Sequence, residues 1–256
     1  MVVHSGHRFC SRAYVGTETR RQADTKIPTR NRLENTAPAE HFLQAIVGGK
    51  IGVFLKIELI CIMEPDLQEL KKMIDAISPL PDEEWLKFAS LWKPVSAGRK
   101  QLLTATGDKE YYLYFVLAGV QRVLYQDEQN REATLVFTYA PSFGGVLDAM
   151  LTQQNSRYSY QTLSPSRFLR AQYKEIALLS RSYMGISQMI QRSINAALCG
   201  LLERMTEMQC FSSEEKFRSL LKRSPHILQH VPHKYLANYL GIDPTNFSKL
   251  INRVVI

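Results

Sequence analysis

The chain has 256 residues, enough for one large domain or two modest ones around a substantial apolar interior. Apolar residues at 45% and charged residues at 22%, with 13 Gly and 11 Pro, exclude a collagen-like, low-complexity or rod-like coiled-coil chain. The net charge of +8 favours a polyanionic partner without specifying one, and half of the excess sits early, since residues 1–62 hold 9 Lys/Arg against 5 Asp/Glu.

The first 40 residues lack period-2 or period-3.6 apolar spacing and are expected to be unstructured. No apolar block with a small-residue cleavage site marks a secretory signal. Residues 42–63 are greasy, but Lys50, Lys56 and Glu58 interrupt them, each costing about 2.5–3.5 kcal/mol near a bilayer centre. No membrane association is therefore expected, an anchor at 42–63 being the competing reading. Residues 1–62 are read as a disordered or non-native leader, with Met63 as the natural start.

Beyond Met63, Leu67, Leu70, Met73, Ile74 and Ile77 predict a helix, and Trp85 and Trp92, seven apart on a predicted helix, are expected in the core. From Val95 to about Gln172 the texture changes to short β-rich runs: QLLT, YYLYFVLAGVQRVLY, EATLVFTYA, YSYQTL and SRFLRA. Gly98, Gly107, Gly119 and Gly144-Gly145 punctuate them, and residues 126–131 (QDEQNR) read as a polar hairpin loop. These runs predict antiparallel strands closing into a sandwich or barrel.

No proline occurs between Pro165 and Pro225, where Tyr183, Ile186, Ile190, Ile194, Ala197, Leu201, Met205 and Met208 recur at steps of three or four. The stripe predicts one long amphipathic helix over Leu178–Cys210, ~45–50 Å at 1.5 Å per residue. Such a helix outruns the β-domain that feeds it. A twin helix in a second subunit is the simplest cover for its stripe; the alternative is a helix lying wholly across its own domain. Ser212-Ser213-Glu214-Glu215 then offers a capping box, so another helix should start at Ser212 and break at Pro225.

The most informative stretch is VPHKYLANYLGIDPTNFSKLINRV, residues 231–254. Leu236, Ala237 and Leu240 give a short helix its buried face, Gly241 permits a left-handed corner, and Asp243 caps a second helix with Pro244 at its first position. Phe247, Leu250 and Val254 form the inward face of that second helix, leaving Thr245, Asn246, Ser248, Lys249 and Arg253 outward or lateral. This is helix-turn-helix grammar, in which the second helix enters a major groove with its N-terminal side chains at the base edges. Thr245, Asn246, Ser248 and Lys249 are the candidate base readers; Arg253, Lys234 and His233 are placed for phosphate. The plain alternative is an ordinary αα packing unit.

No enzymatic motif emerges: GxSxG, GxxxxGK[ST], HExxH and GxGxxG are all missing. Cys10, Cys61, Cys199 and Cys210 form no CxxC pair or zinc spacing, and Pro225 and Pro232 interrupt the helix that would align His226, His230 and His233. A non-enzyme in a reducing cytoplasm, with no metal and no cofactor, is the expectation.

The order of β-domain, long helix and terminal helix-turn-helix resembles the Crp/Fnr family of bacterial transcription regulators over about residues 65–256. The run SSEEKFRSLLKRSPHILQHVPHKYLANYLGIDPTNFSKLINRV is similar to the Bacteroidetes-type branch, with Thr245 standing where that branch usually has Glu and Lys249 where it has Arg. The resemblance implies an α+β chain: an antiparallel, cyclic-nucleotide-binding-like β-roll over 63–177, a dimerisation helix over 178–210 and a helical DNA-binding domain over 211–256. It implies a homodimer on double-stranded DNA. It also places a small-molecule effector pocket at Gly145, Val146, Leu147, Arg157 and Ser159. In cyclic-nucleotide-binding members a Gly-Glu-Leu turn holds the ribose and an Arg-Ser/Thr-Ala run the cyclic phosphate. Here Val146 stands where Glu belongs, and Arg157 aligns only with a one-residue slip. Val cannot accept a ribose hydroxyl, and an unpaired polar group there costs about 1–3 kcal/mol, so the pocket is expected to be degraded: another small effector, or none. The rival reading is a signalling module whose helical end contacts protein rather than DNA.

Overall fold

The computed structural model describes residues 65–253. The expectations for a leader at 1–62, a start at Met63, an anchor at 42–63 and an inward Val254 lie outside the described residues. Among the described residues no helix is long and apolar enough to cross a membrane.

The apolar spacing after Met63 folds as α1 (Pro65–Ile77), burying Leu67, Leu70, Met73 and Ile74. An acidic first turn, Asp82 to Glu84, opens α2 (Asp82–Ala89), where carboxylates complement the positive end of the helix dipole. Trp85 lies on α2 and is fully buried. Trp92 is also buried, but α2 has ended by then, so the two indoles do not share one helix. They meet instead through Phe88, whose ring centroid is 6.5 Å from Trp85 and 5.6 Å from Trp92.

Eight strands follow. β1 (Lys93–Ala97), β3 (Tyr112–Ala118), β6 (Ser142–Gly144) and β8 (Ser166–Gln172) form one antiparallel sheet in the order β1-β8-β3-β6. β2 (Leu102–Thr104), β4 (Val120–Gln126), β5 (Glu132–Tyr139) and β7 (Ser159–Thr162) form the second, in the order β2-β7-β4-β5. The run YYLYFVLAGVQRVLY thus folds as two strands in different sheets. Gly119 makes the crossing: its φ is +86°, and a Cβ there would lie 2.5 Å from the Pro165 carbonyl oxygen, a conformation and an approach open only to glycine. Tyr114, Val116, Val123, Tyr160 and Phe168 fill the space between the sheets, together with Val146 and Ala149 beside α3 (Leu147–Thr152).

The single helix expected over Leu178–Cys210 is corrected to two. α4 (Tyr173–Ser182) ends at Tyr183, which is extended at φ −127° and ψ 114°, and α5 (Met184–Cys210) begins anew. The cause is tertiary. The Glu84 carboxylate of α2 accepts the amides of Gly185 at 3.4 Å and Ile186 at 2.8 Å, satisfying donors that a continuous helix would have spent on its own preceding turn. Ile186 and Met189 then pack into the core of α1, α2 and the first sheet.

α5 is 27 residues long, ~40 Å at 1.5 Å per residue, and its two halves differ. In the first half Ile186 and Met189 are buried in the core that α1 and α2 share, whereas Leu198, Leu201, Leu202 and Met205 are 44–56% exposed. Beyond it come α6 (Ser213–Arg223), α7 (Ile227–His230), α8 (His233–Leu240) and α9 (Pro244–Arg253). The capping box is present: Ser212 Oγ accepts from Glu215 N, and the Glu215 carboxylate accepts from Ser212 N.

Candidate nucleic-acid interface and effector pocket

α8 and α9 are set by the local chemistry read in the sequence. Leu236, Ala237 and Leu240 are buried, and Gly241 is left-handed at φ +62°. Asp243 Oδ1 accepts from Thr245 N at 2.9 Å and Asn246 N at 3.3 Å, capping α9. Phe247 and Leu250 face inward, with Phe247 edge-on to Phe217 of α6 at 5.4 Å.

Thr245, Asn246, Ser248, Lys249 and Arg253 are all exposed on α9, as are His233 and Lys234 at the start of α8. The structure therefore brings all seven nucleic-acid candidates onto one exposed helix and the first turn of its neighbour. Ser248 Oγ donates to the Pro244 carbonyl at 3.0 Å, which leaves its hydroxyl oxygen free as an acceptor. The His233 ring stacks edge-on against Phe247 at 5.9 Å, so packing fixes its direction at the head of α8. The Lys234 ammonium lies 4.8 Å from the Tyr235 ring centre.

The helix-turn-helix unit is held from two sides. At the end of α5, the buried Glu207 carboxylate accepts from both terminal nitrogens of Arg223 and from Ser219 Oγ at 2.6 Å, and pairs with Arg204 at 3.3 Å. Burial alone would raise the Glu207 pKa, but the bonds from Arg223 and Ser219 outweigh it and hold the carboxyl below its ordinary range. Arg204 also donates to the Tyr239 carbonyl of α8 and stacks 4.0 Å over its ring. On the other side, Val120, Phe137 and Leu163 of the β-roll share one apolar cluster with α6 to α9. None of these tertiary partners carries a motif, so Glu207 and Arg204 were invisible to spacing arguments.

Within the roll, Gly145 has φ +120°, and Val146 is 1% exposed. The Val146 amide donates to Glu110 Oε2 at 3.2 Å. Glu110, itself buried, also accepts from Thr104 Oγ1 at 2.6 Å and Tyr112 N at 3.2 Å. Burial pushes its carboxyl pKa up despite these bonds. A carboxylate thus stands beside position 146, reaching it from the β2–β3 loop. Leu147 is half-buried, Arg157 is exposed, and Ser159 Oγ accepts from Thr106 N at 3.1 Å.

A depression of about 460 Å³ opens beside Glu110, lined also by Thr104, Asp108, Lys109, Tyr112 and Asn155. None of Gly145, Val146, Leu147, Arg157 and Ser159 lines it. Gly144 is locked as well, since a Cβ there would lie 2.1 Å from Tyr160 Oη. Glu110 escaped sequence reasoning because an acid in the loop GDKEYY carries no spacing signal.

No protein-family model matches the sequence, and no curated protein matches it. Shape does. FixK2 from Bradyrhizobium japonicum superposes with a TM-score of 0.57 at 11% identity, covering 63% of this chain and 83% of FixK2. The chain has the Crp/Fnr fold. Two further structures with this fold come from proteins described as a candidate cAMP-binding regulator of Silicibacter pomeroyi and a candidate cyclic-nucleotide-binding protein of Ruegeria pomeroyi. They match with TM-scores of 0.53 and 0.51, at 16% and 15% identity, each covering 68% of this chain and 80% of its own. The Crp/Fnr fold accounts for the element order: two-sheet roll, long helix, terminal helix-turn-helix.

Proposed function

We propose that the chain is a DNA-binding transcription regulator that acts as a homodimer. The observation that carries this reading is α9, whose exposed face presents Thr245, Asn246, Ser248, Lys249 and Arg253 while Phe247 and Leu250 anchor it. An α-helix fits the major groove, and these side chains supply the donors and acceptors that read base edges and phosphates. The exposed Leu198, Leu201, Leu202 and Met205 on α5 support a second copy as the cover of that stripe.

The roll supports a structural platform, or a pocket for something other than a cyclic nucleotide. Tyr114 and Tyr160 fill the space beside Val146, and the Glu110 carboxyl already takes the Val146 amide.

Selection of bound fragments from random duplex DNA tests the reading. A near-palindromic site with half-site centres ~34 Å apart, or a multiple of that, is expected, with log affinity falling linearly in log salt at about 0.9 per phosphate contact. No enrichment at any salt concentration would favour the rival, in which the helical end contacts protein.

A further inference from the structure

Over residues 198–207, α5 presents two faces. Leu198, Leu201, Leu202 and Met205 are exposed, whereas the Glu207 side chain is 6% exposed and bonds to α6. Glu207 follows Leu202 by five positions, which is ~140° around the helix at ~3.6 residues per turn. The face open to a second copy and the face that holds the helix-turn-helix unit therefore lie on the same turns of one helix, on different sides of it.

The holding face is braced throughout. Glu207 accepts from both terminal nitrogens of Arg223, from Nη2 at 2.9 Å, and from Ser219 Oγ at 2.6 Å, all on α6. Arg204 lies 4.0 Å from the Tyr239 ring centre on α8, and the same ring is 5.1 Å from Phe137 of β5. Met208 meets the corner itself, since a Cβ at Gly241 would lie 2.8 Å from its Cε. Across to the roll, Tyr139 Oη and Ser224 Oγ share a hydrogen bond, and Asn238 accepts from Thr134 N at 2.6 Å. Turning α6 on α5 would strip a buried carboxylate of its partners, which is strongly disfavoured.

This brace bears on which DNA two copies can hold at once. One base pair added between half-sites moves them ~3.4 Å apart and turns one against the other by ~35°, so each recognition helix must follow by ~1.7 Å and ~17°. The bonds at Glu207 allow far less. Its 2.9 Å contact with Arg223 is lost by ~3.6 Å. On the proposed reading of the chain as a homodimer on DNA, which this assignment requires, we infer that Glu207 and Arg223 are positioning residues that set the half-site spacing of the DNA target. They do so by fixing α9 relative to the face of α5 that meets a second copy. Their selectivity is for the distance between half-sites, separate from the base reading assigned to Thr245, Asn246, Ser248 and Lys249.

The test measures binding of the full chain to duplexes carrying two selected half-sites, at the preferred spacing and with one base pair added or removed, beside a duplex with a single half-site. A mis-spaced pair leaves wild type engaging one half-site only, so its affinity should fall by about a hundredfold. Glu207→Gln, and Arg223→Lys, which keeps the charge but not the planar fork, should cut that penalty to about tenfold or less. The change should come chiefly from weaker binding at the preferred spacing, with single-half-site affinity at the wild-type level. Tolerance of spacing by wild type, or an undiminished penalty in either variant, would overturn the positioning role while the regulator reading stands. Loss of single-half-site binding in both variants would mean that the two residues only keep the unit folded, and would likewise overturn it. Failure to select any DNA fragment would remove the regulator reading and this role together.

Discussion

Both terminal nitrogens of Arg223, at the end of α6, grip the two carboxylate oxygens of Glu207, sixteen residues earlier at the end of α5. This fork-to-fork pair couples the long helix to the terminal domain, and Arg204 extends it to α8. Glu207→Gln should therefore cost about 2 kcal/mol, because charged donors lose a buried acceptor. The folded-state pKa of Glu207 lies below its unfolded value. Its contribution is thus present above the unfolded pKa of about 4.3 and lost as pH falls through the folded one. Melting curves across acidic pH should show wild type losing its advantage over Glu207→Gln. A constant gap would exclude the ionised pair as its source.

Glu110 carries the opposite sign. Its folded-state pKa is raised by burial, so its contribution is fully present below the unfolded value and is lost as pH rises through the folded one. In denaturant titrations, the stability of wild type relative to Glu110→Gln should decline as pH rises above the unfolded carboxyl pKa of about 4.3. Glu110→Ala, which leaves the Val146 and Tyr112 amides without their acceptor, should cost about 1–3 kcal/mol at acidic pH, a cost that shrinks as pH rises.

Lys249 and Arg253 occupy different turns of α9 and should behave differently on DNA. Lys249→Ala should weaken a selected site by about 1–3 kcal/mol with little effect on random duplex. Arg253→Ala should weaken both alike and lower the salt slope by about 0.9. Equal losses for Lys249→Ala on both duplexes would remove Lys249 from the base-reading group.

Leu202 is 55% exposed on α5, so a charge there disturbs no packing within the chain. Leu202→Glu should yield a monomer of unchanged thermal stability at low concentration, with sedimentation equilibrium as the measurement. A wild-type chain already monomeric at tens of micromolar would sink the homodimer.

The parts that local chemistry determines were legible from residue order alone. The capping box at Ser212 and Glu215, the left-handed corner at Gly241, the Asp243 cap and the alternating strands all depend on neighbours within a few positions. The exposure of Thr245, Asn246 and Lys249 follows from Phe247 and Leu250 taking the inward face.

What only the tertiary structure decided depends on groups brought together from far along the chain. The stripe over residues 183–208 reads as one helix by periodicity, yet Glu84 restarts it after Tyr183 by capping amides about 100 residues away. Glu110 reaches the Val146 amide across 36 positions, and Asn238 reaches Thr134 across 104. Apolar periodicity records which face of a helix is buried, since burial repeats every turn. A single carboxylate or amide meeting a distant backbone group leaves no period, and its place is set only when the packed sheets and helices fix the distance between them.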